Sequence, residues 1–137
     1  MSTQWAAQFL VAAELERHKY VVTFTVGHAT PMADLMVGHA DGEQFWVDVK
    51  GLASKNAWWG KKKKLRKNLY YVLVLVGAER DGDRFFVLSQ DEWNDLIGKY
   101  ERDHPNAKKV GGFNWSSPAA FEGKWEKLPG WSGLDGR

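Results

Sequence analysis

The chain contains no cysteine. That excludes disulfides and thiolate metal sites, and it fits a reducing compartment, so a cytoplasmic location is expected. No apolar run approaches the ~20 residues that a helix needs to span a bilayer, so no membrane partner is expected. The stretch from Met1 to Arg17 lacks a basic segment followed by a short apolar core, so a secretory signal is not expected either. Charge of one sign is scarce: 19 Lys and Arg against 17 Asp and Glu leave a net +2, too little to mark a nucleic-acid binder by itself. Internal repeats are absent as well.

What is present is unevenly placed. Lys61-Lys62-Lys63-Lys64-Leu65-Arg66-Lys67 puts six cations in seven positions, whereas Asp81 to Asp103 leans acidic. Hydrophobic residues make up 44% and charged residues 26%, a balance that argues for a globular chain over a disordered one. At 137 residues a single domain is expected, with a core over about 2–102 and an extension over about 103–137. Eight tryptophans are many for this length, and Trp115, Trp125 and Trp131 fall in that extension, where they are expected to pin an irregular tail over the sheet.

Periodicity predicts a helix over Ser2 to His18, from Trp5, Phe9, Ala12 and Ala13 at three-to-four-residue spacing. Tyr20 to Val26 reads as a strand ended by Gly27, and Ala33 to Gly38 as a second strand between Pro31 and the Asp41-Gly42 turn. The third, Gln44 to Lys50, alternates. Phe45, Val47 and Val49 form one row, and Trp46, Asp48 and Lys50 point the other way. A helix is expected from Ala57 to Asn68 on a thin stripe of Trp58, Leu65 and Leu69. The apolar run Tyr70 to Val76 reads as a central strand covered on both sides, and Asp81-Gly82 as a turn into a strand over Arg84 to Leu88. Ser89-Gln90-Asp91-Glu92 is a capping-box pattern, so a helix should start there, with Trp93, Leu96, Ile97 and Tyr100 on its apolar face. Pro105, Gly111-Gly112 and Ser116-Ser117-Pro118 mark the remainder as turns. The class is α/β with a mixed sheet.

Asp is a poor strand former, so Asp34 in Met32-Ala33-Asp34-Leu35-Met36-Val37 and Asp48 in Phe45-Trp46-Val47-Asp48-Val49-Lys50 are out of place on propensity alone. If the two strands are neighbours, the carboxylates converge. Two anionic groups in one place repel unless they share a proton or a cation, and Mg²⁺ suits such oxygen ligands. Lys50, on the Asp48 face, can orient a water or stabilise charge that develops on a phosphoryl group. The bland alternative is a pair of exposed strand carboxylates, one of them salt-bridged to Lys50.

The order helix, strand, Asp34-Leu35-Met36-Val37, turn, Val47-Asp48-Val49-Lys50-Gly51, helix, strand resembles the PD-(D/E)XK superfamily of restriction-endonuclease-like nucleases, most of all its small Holliday-junction-resolvase-like branch and bacterial branches of uncharacterised function. The resemblance covers roughly the first two-thirds of the chain. It implies an αβββαβ core with a mixed central sheet, to which this chain adds a C-terminal helix and the Trp-rich tail. It also implies Mg²⁺ or Mn²⁺ held by Asp34 and Asp48, with the Val49 carbonyl as a further ligand, and Lys50 assisting the attacking water. Pro31 departs from the pattern by lying three residues before the aspartate instead of beside it.

Related nucleases often supply a helix-one carboxylate or amide, for which register points to Gln8 and charge to Glu14. Six residues at ~100° each set these about 240° apart, so only one can face the site. The function implied is a metal-dependent nuclease hydrolysing DNA, with RNA or branched DNA as further substrates, acting as a homodimer. Lys61, Lys62, Lys63, Lys64, Arg66 and Lys67 would neutralise phosphates. Trp59 would stack on bases while Trp58 serves the core. The alternative is a catalytically silent nucleic-acid-binding or protein-assembly module of the same fold. His18, His28, His39 and His104 show no metal-ligand spacing.

Overall fold

The computed structural model describes residues 3–25, 33–39, 43–77, 82–106 and 111–131. His28, Pro31 and the Asp41-Gly42 turn lie outside them. An N-terminal helix, α1 (Thr3–Arg17), is followed by a three-stranded antiparallel meander of β1 (Val21–Phe24), β2 (Leu35–Gly38) and β3 (Gln44–Leu52). A two-residue strand, β4 (Trp58–Trp59), precedes β5 (Leu69–Leu75) and β6 (Arg84–Ser89), and α2 (Gln90–Asp103) and β7 (Gly112–Phe113) complete the regular elements before two short 3₁₀ turns. The main sheet has the order β1-β2-β3-β5-β6, with β3 and β5 parallel and the other pairs antiparallel, so it is mixed and β3 is its middle strand. Among the described residues no helix is long and apolar enough to cross a membrane.

The strand alternation read from the sequence sorts the two faces. Phe45, Val47 and Val49 join Leu35, Val37, Val72, Val74 and Val87 under the α1 residues Ala7, Val11 and Leu15, forming one buried cluster. On the opposite face Tyr71, Leu73, Phe86 and Leu88 pack with the α2 residues Trp93 and Ile97, and Trp46 borders them. Asp48 is the parallel partner of Tyr71, and Lys50 of Leu73, so both charged residues lie on the α2 face. Gly51 lets α1 come close: a Cβ there would stand 2.7 Å from Ala7 Cβ and 3.0 Å from the Thr3 carbonyl oxygen. The Ser89 capping box forms as the sequence predicts, with the Ser89 hydroxyl accepting from Glu92 N–H and the Glu92 carboxylate from Ser89 N–H.

The helix expected over Ala57 to Asn68 is absent. Trp58–Trp59 is instead a short strand paired with Gly112–Phe113, residues 60–66 run without a regular element, and a turn at 67–68 leads into β5 with Asn68 at φ 61°, a conformation asparagine tolerates. Leu69, assigned to that helix's stripe, opens β5. The parallel β3–β5 crossover is therefore extended and departs from the αβββαβ order at that point. The physical reason is twofold. Consecutive cations repel at the i, i+3 and i, i+4 spacings of a helix, and α2 offers side-chain partners for an extended backbone there.

Beyond α2 the chain returns across both faces. Trp125 packs on Phe85 (centroids 5.4 Å apart) and Trp131 on His18 (4.6 Å), so these tryptophans pin the tail as expected. Trp115 sits under the cations Lys55 and Arg84.

Candidate functional site

β2 and β3 run antiparallel with Leu35 opposite Val47, which carries Asp34 to the level of Asp48. Asp34 still rides on β3: its N–H donates to the Val47 carbonyl (3.1 Å), and its Oδ2 accepts from the Val49 N–H (2.8 Å). Asp48 is buried, and Lys50 Nζ stands 3.1 Å from its Oδ1. That contact lacks hydrogen-bond alignment, so Asp48 Oδ1 is a buried acceptor with no hydrogen bond among the described residues. Such an atom carries a desolvation cost unless something else meets it. The three residues picked from the sequence are thus brought together. The bland alternative is half met: the Lys50 ion pair exists, but Asp48 is not exposed.

Electrostatics follow from this crowding. Burial pushes the Asp34 carboxyl above its ordinary range; the Val49 N–H opposes this, the Asp48 charge adds to it, and Lys50 and Lys63 hold it back. Tyr71, opposite Asp48, has its phenol raised by burial and then by the Asp48 charge. Its hydroxyl is a second buried polar atom without a hydrogen bond among the described residues. Its ring stacks on Trp93 at 4.4 Å and 4°, and Lys50 Nζ lies 5.8 Å above that indole. Among the described residues no group of three or more His, Asp or Glu side chains gathers for a metal.

Helix one reaches β3 through a residue the sequence reading passed over. Gln4 Nε2 donates to the Val49 carbonyl at 2.7 Å. Gln8 follows one turn later on the same helical face and is buried. Glu14 is ten residues from Gln4, about 15 Å along the axis, and pairs with Arg17. Polar glutamines at i and i+4 among the alanines were the signal available for Gln4.

The basic segment lies against α2, on the face that carries Asp48 and Lys50. Trp93 Nε1 donates to the Lys61 carbonyl (3.0 Å), the Asn94 amide donates to the Lys63 carbonyl (3.0 Å) and accepts from its N–H (3.3 Å), and Gln90 bonds the Lys64 carbonyl (3.0 Å) and the Arg66 N–H (2.7 Å). Residues 61–68 are all exposed. Lys62 pairs with Glu101 (2.9 Å). Trp58 is buried and Trp59 is 58% exposed, the division expected.

No family model matches the chain, and no curated protein and no solved structure matches it.

Proposed function

We propose that the chain is a Mg²⁺- or Mn²⁺-dependent nuclease of the restriction-endonuclease-like class, hydrolysing phosphodiester bonds of DNA in the cytoplasm. The observation that carries this reading is the convergence of Asp34 and Asp48 beside Lys50, with Asp48 Oδ1 buried and without a hydrogen bond among the described residues. The donor set fits the cation: two hard carboxylates, plus a Val49 carbonyl that has a second lone pair beyond the Gln4 bond. When bound, the ion would polarise a phosphoryl oxygen and make water a better nucleophile.

The chain's own residues do the rest. Asp34 and Asp48 hold the cation, Lys50 orients the attacking water and stabilises developing negative charge, and Gln4 fixes the strand end that aligns them. The basic segment supplies phosphate contacts. RNA and branched DNA are further substrate candidates, and a homodimer would address two strands.

The test is cleavage of labelled single-stranded, duplex, branched and RNA substrates with Mg²⁺ or Mn²⁺, with Asp48→Ala as control. Metal-dependent cleavage lost in the variant is the expected result. No cleavage of any substrate, or equal cleavage by both proteins, overturns the reading.

One observation favours the silent-module alternative. Asp34 caps the Val49 N–H, Gln4 caps its carbonyl and Lys50 balances Asp48, so protein groups already account for much of the site. Calorimetry separates the two: Mn²⁺ heat lost in Asp34→Ala supports the enzyme, and no metal binding beside salt-sensitive DNA binding supports the module.

A further inference from the structure

The basic run is held in a way that a merely solvated charge run does not require. Six hydrogen bonds with Gln90, Trp93 and Asn94 fasten the backbone at Lys61, Lys63, Lys64 and Arg66 to α2. These three residues occupy the i, i+3 and i+4 positions of one helical face. Because the backbone polar groups are taken up inward, the side chains from Lys61 to Lys67 are left on the outside. Fixing six cations along one short path costs repulsion, and among the described residues only Lys62 has an acidic partner. A polyanion laid along the path would offset that cost.

We propose that segment 59–67 is a binding track for one unpaired strand of nucleic acid, with phosphates along the lysines and a base stacked on Trp59. Two observations select a single strand over a duplex. First, Trp59, 58% exposed at the head of the track, can stack only on a base whose face is open. Second, the segment lies against α2, with backbone groups of four of its residues bonded to that helix, so neither a helix nor a two-stranded ribbon projects from it to enter a major groove. The dimensions are compatible as well: chain as extended as a strand advances roughly 3.3 Å per residue, so every second residue is displaced by roughly 6.6 Å. That step is comparable with the spacing of phosphates along one strand.

The track also has a destination. Lys62 turns toward α2 and Glu101, whereas Trp93 joins the track to the cluster: its Nε1 bonds the Lys61 carbonyl, and its indole lies 5.8 Å from Lys50 Nζ. A strand following the lysines is led toward the Asp34, Asp48 and Lys50 cluster. That last step rests on the nuclease reading; the binding track does not.

The test is fluorescence anisotropy with the full chain in EDTA, where no cleavage occurs, using labelled dT12, U12 and a 12-base-pair duplex. Expected are at least ten-fold tighter binding of one or both single strands than of the duplex, and about five-fold or greater weakening by Trp59→Ala. The slope of log affinity against log salt should shrink by about 0.7 for each of Lys63→Ala and Lys64→Ala. Asn94→Ala with Gln90→Ala, which keeps every cation but releases the backbone, should weaken binding too, with circular dichroism checking that the variant folds. Preference between dT12 and U12 identifies the sugar.

Equal or tighter duplex binding overturns the proposal, as does single-strand binding indifferent to Trp59→Ala and to the lysine variants. Binding without cleavage leaves the track standing and removes the nuclease. Metal-dependent cleavage of duplex without single-strand binding does the reverse.

Discussion

The Val49 N–H donates to Asp34 Oδ2 at 2.8 Å, so the carboxylate that would hold a cation also caps the backbone of the strand bearing Asp48. Structure and the proposed chemistry therefore share one side chain, and two substitutions separate them. Asp34→Asn keeps an oxygen for the Val49 N–H and relieves repulsion with Asp48, so it should unfold in urea no earlier than the wild type. Asp34→Ala leaves that N–H without its partner and should cost about 1–3 kcal/mol. Both should lower metal-dependent cleavage by at least the ten- to hundred-fold typical of disturbing a metal ligand's support. Cleavage retained in Asp34→Asn would place the role of Asp34 in the fold alone.

The raised Asp34 carboxyl sets a pH dependence. Its folded pKa exceeds the unfolded one, so its contribution to stability is fully present below the ordinary aspartate range and is lost as pH rises through the raised value. In EDTA, the wild type should lose stability relative to Asp34→Asn as pH rises from about 4, the ordinary aspartate value, towards neutrality. Mn²⁺ competes with that proton, so its stabilising effect should grow over the same range. Urea midpoints of both proteins, with and without Mn²⁺, measure this. A wild-type minus variant difference that stays flat with pH contradicts it.

Where the sequence was legible, local rules and tertiary demands agreed. Alternation along Gln44 to Lys50 set Asp48 and Lys50 on one face, and Ser89 with Glu92 marked the start of α2 to the residue. The stretch from Ala57 to Asn68 was misread because its partners are remote. Gln90, Trp93 and Asn94 lie about thirty residues downstream and bond backbone groups, which carry no sequence signature. Gln4 was passed over for a related reason. Helical register places it near β3, but its bond to the Val49 carbonyl depends on how closely Gly51 lets α1 approach.

Gly60 should tolerate no side chain. A Cβ there would stand 2.3 Å from Trp93 Cζ2 and 2.8 Å from Cη2, so the indole would have to move. Its movement would disturb both the Tyr71 stack and the bond to the Lys61 carbonyl. Gly60→Ala should therefore cost about 1–3 kcal/mol as overpacking, alter the near-ultraviolet tryptophan signal, and weaken single-strand binding. Wild-type values in urea denaturation and in the near-ultraviolet spectrum would exclude this packing.

Glu92 joins the start of α2 to the tail, and its charge can be removed without removing its cap. Burial pushes its carboxyl up, but the Lys127 ammonium and the Ser89 N–H more than compensate and hold it below its ordinary range. A depressed folded pKa means stability that is present above the unfolded glutamate value and is lost as pH falls through the folded one. Glu92→Gln preserves the capping box, because glutamine serves at that position, and loses only the ion pair. Both groups are partly exposed, so the difference from wild type should be under about 1 kcal/mol at neutral pH. It should vanish on acidification below the ordinary glutamate range. Glu92→Ala breaks the cap as well, and should cost about 0.5–2 kcal/mol more than Glu92→Gln. Limited proteolysis should then cut the segment around Trp125 to Leu128 sooner in both variants, since the Lys127 tether is gone. Urea midpoints at several pH values and a timed digest read the two effects apart. A Glu92→Gln deficit that is constant from neutral to acid pH would show that the Lys127 pair contributes nothing.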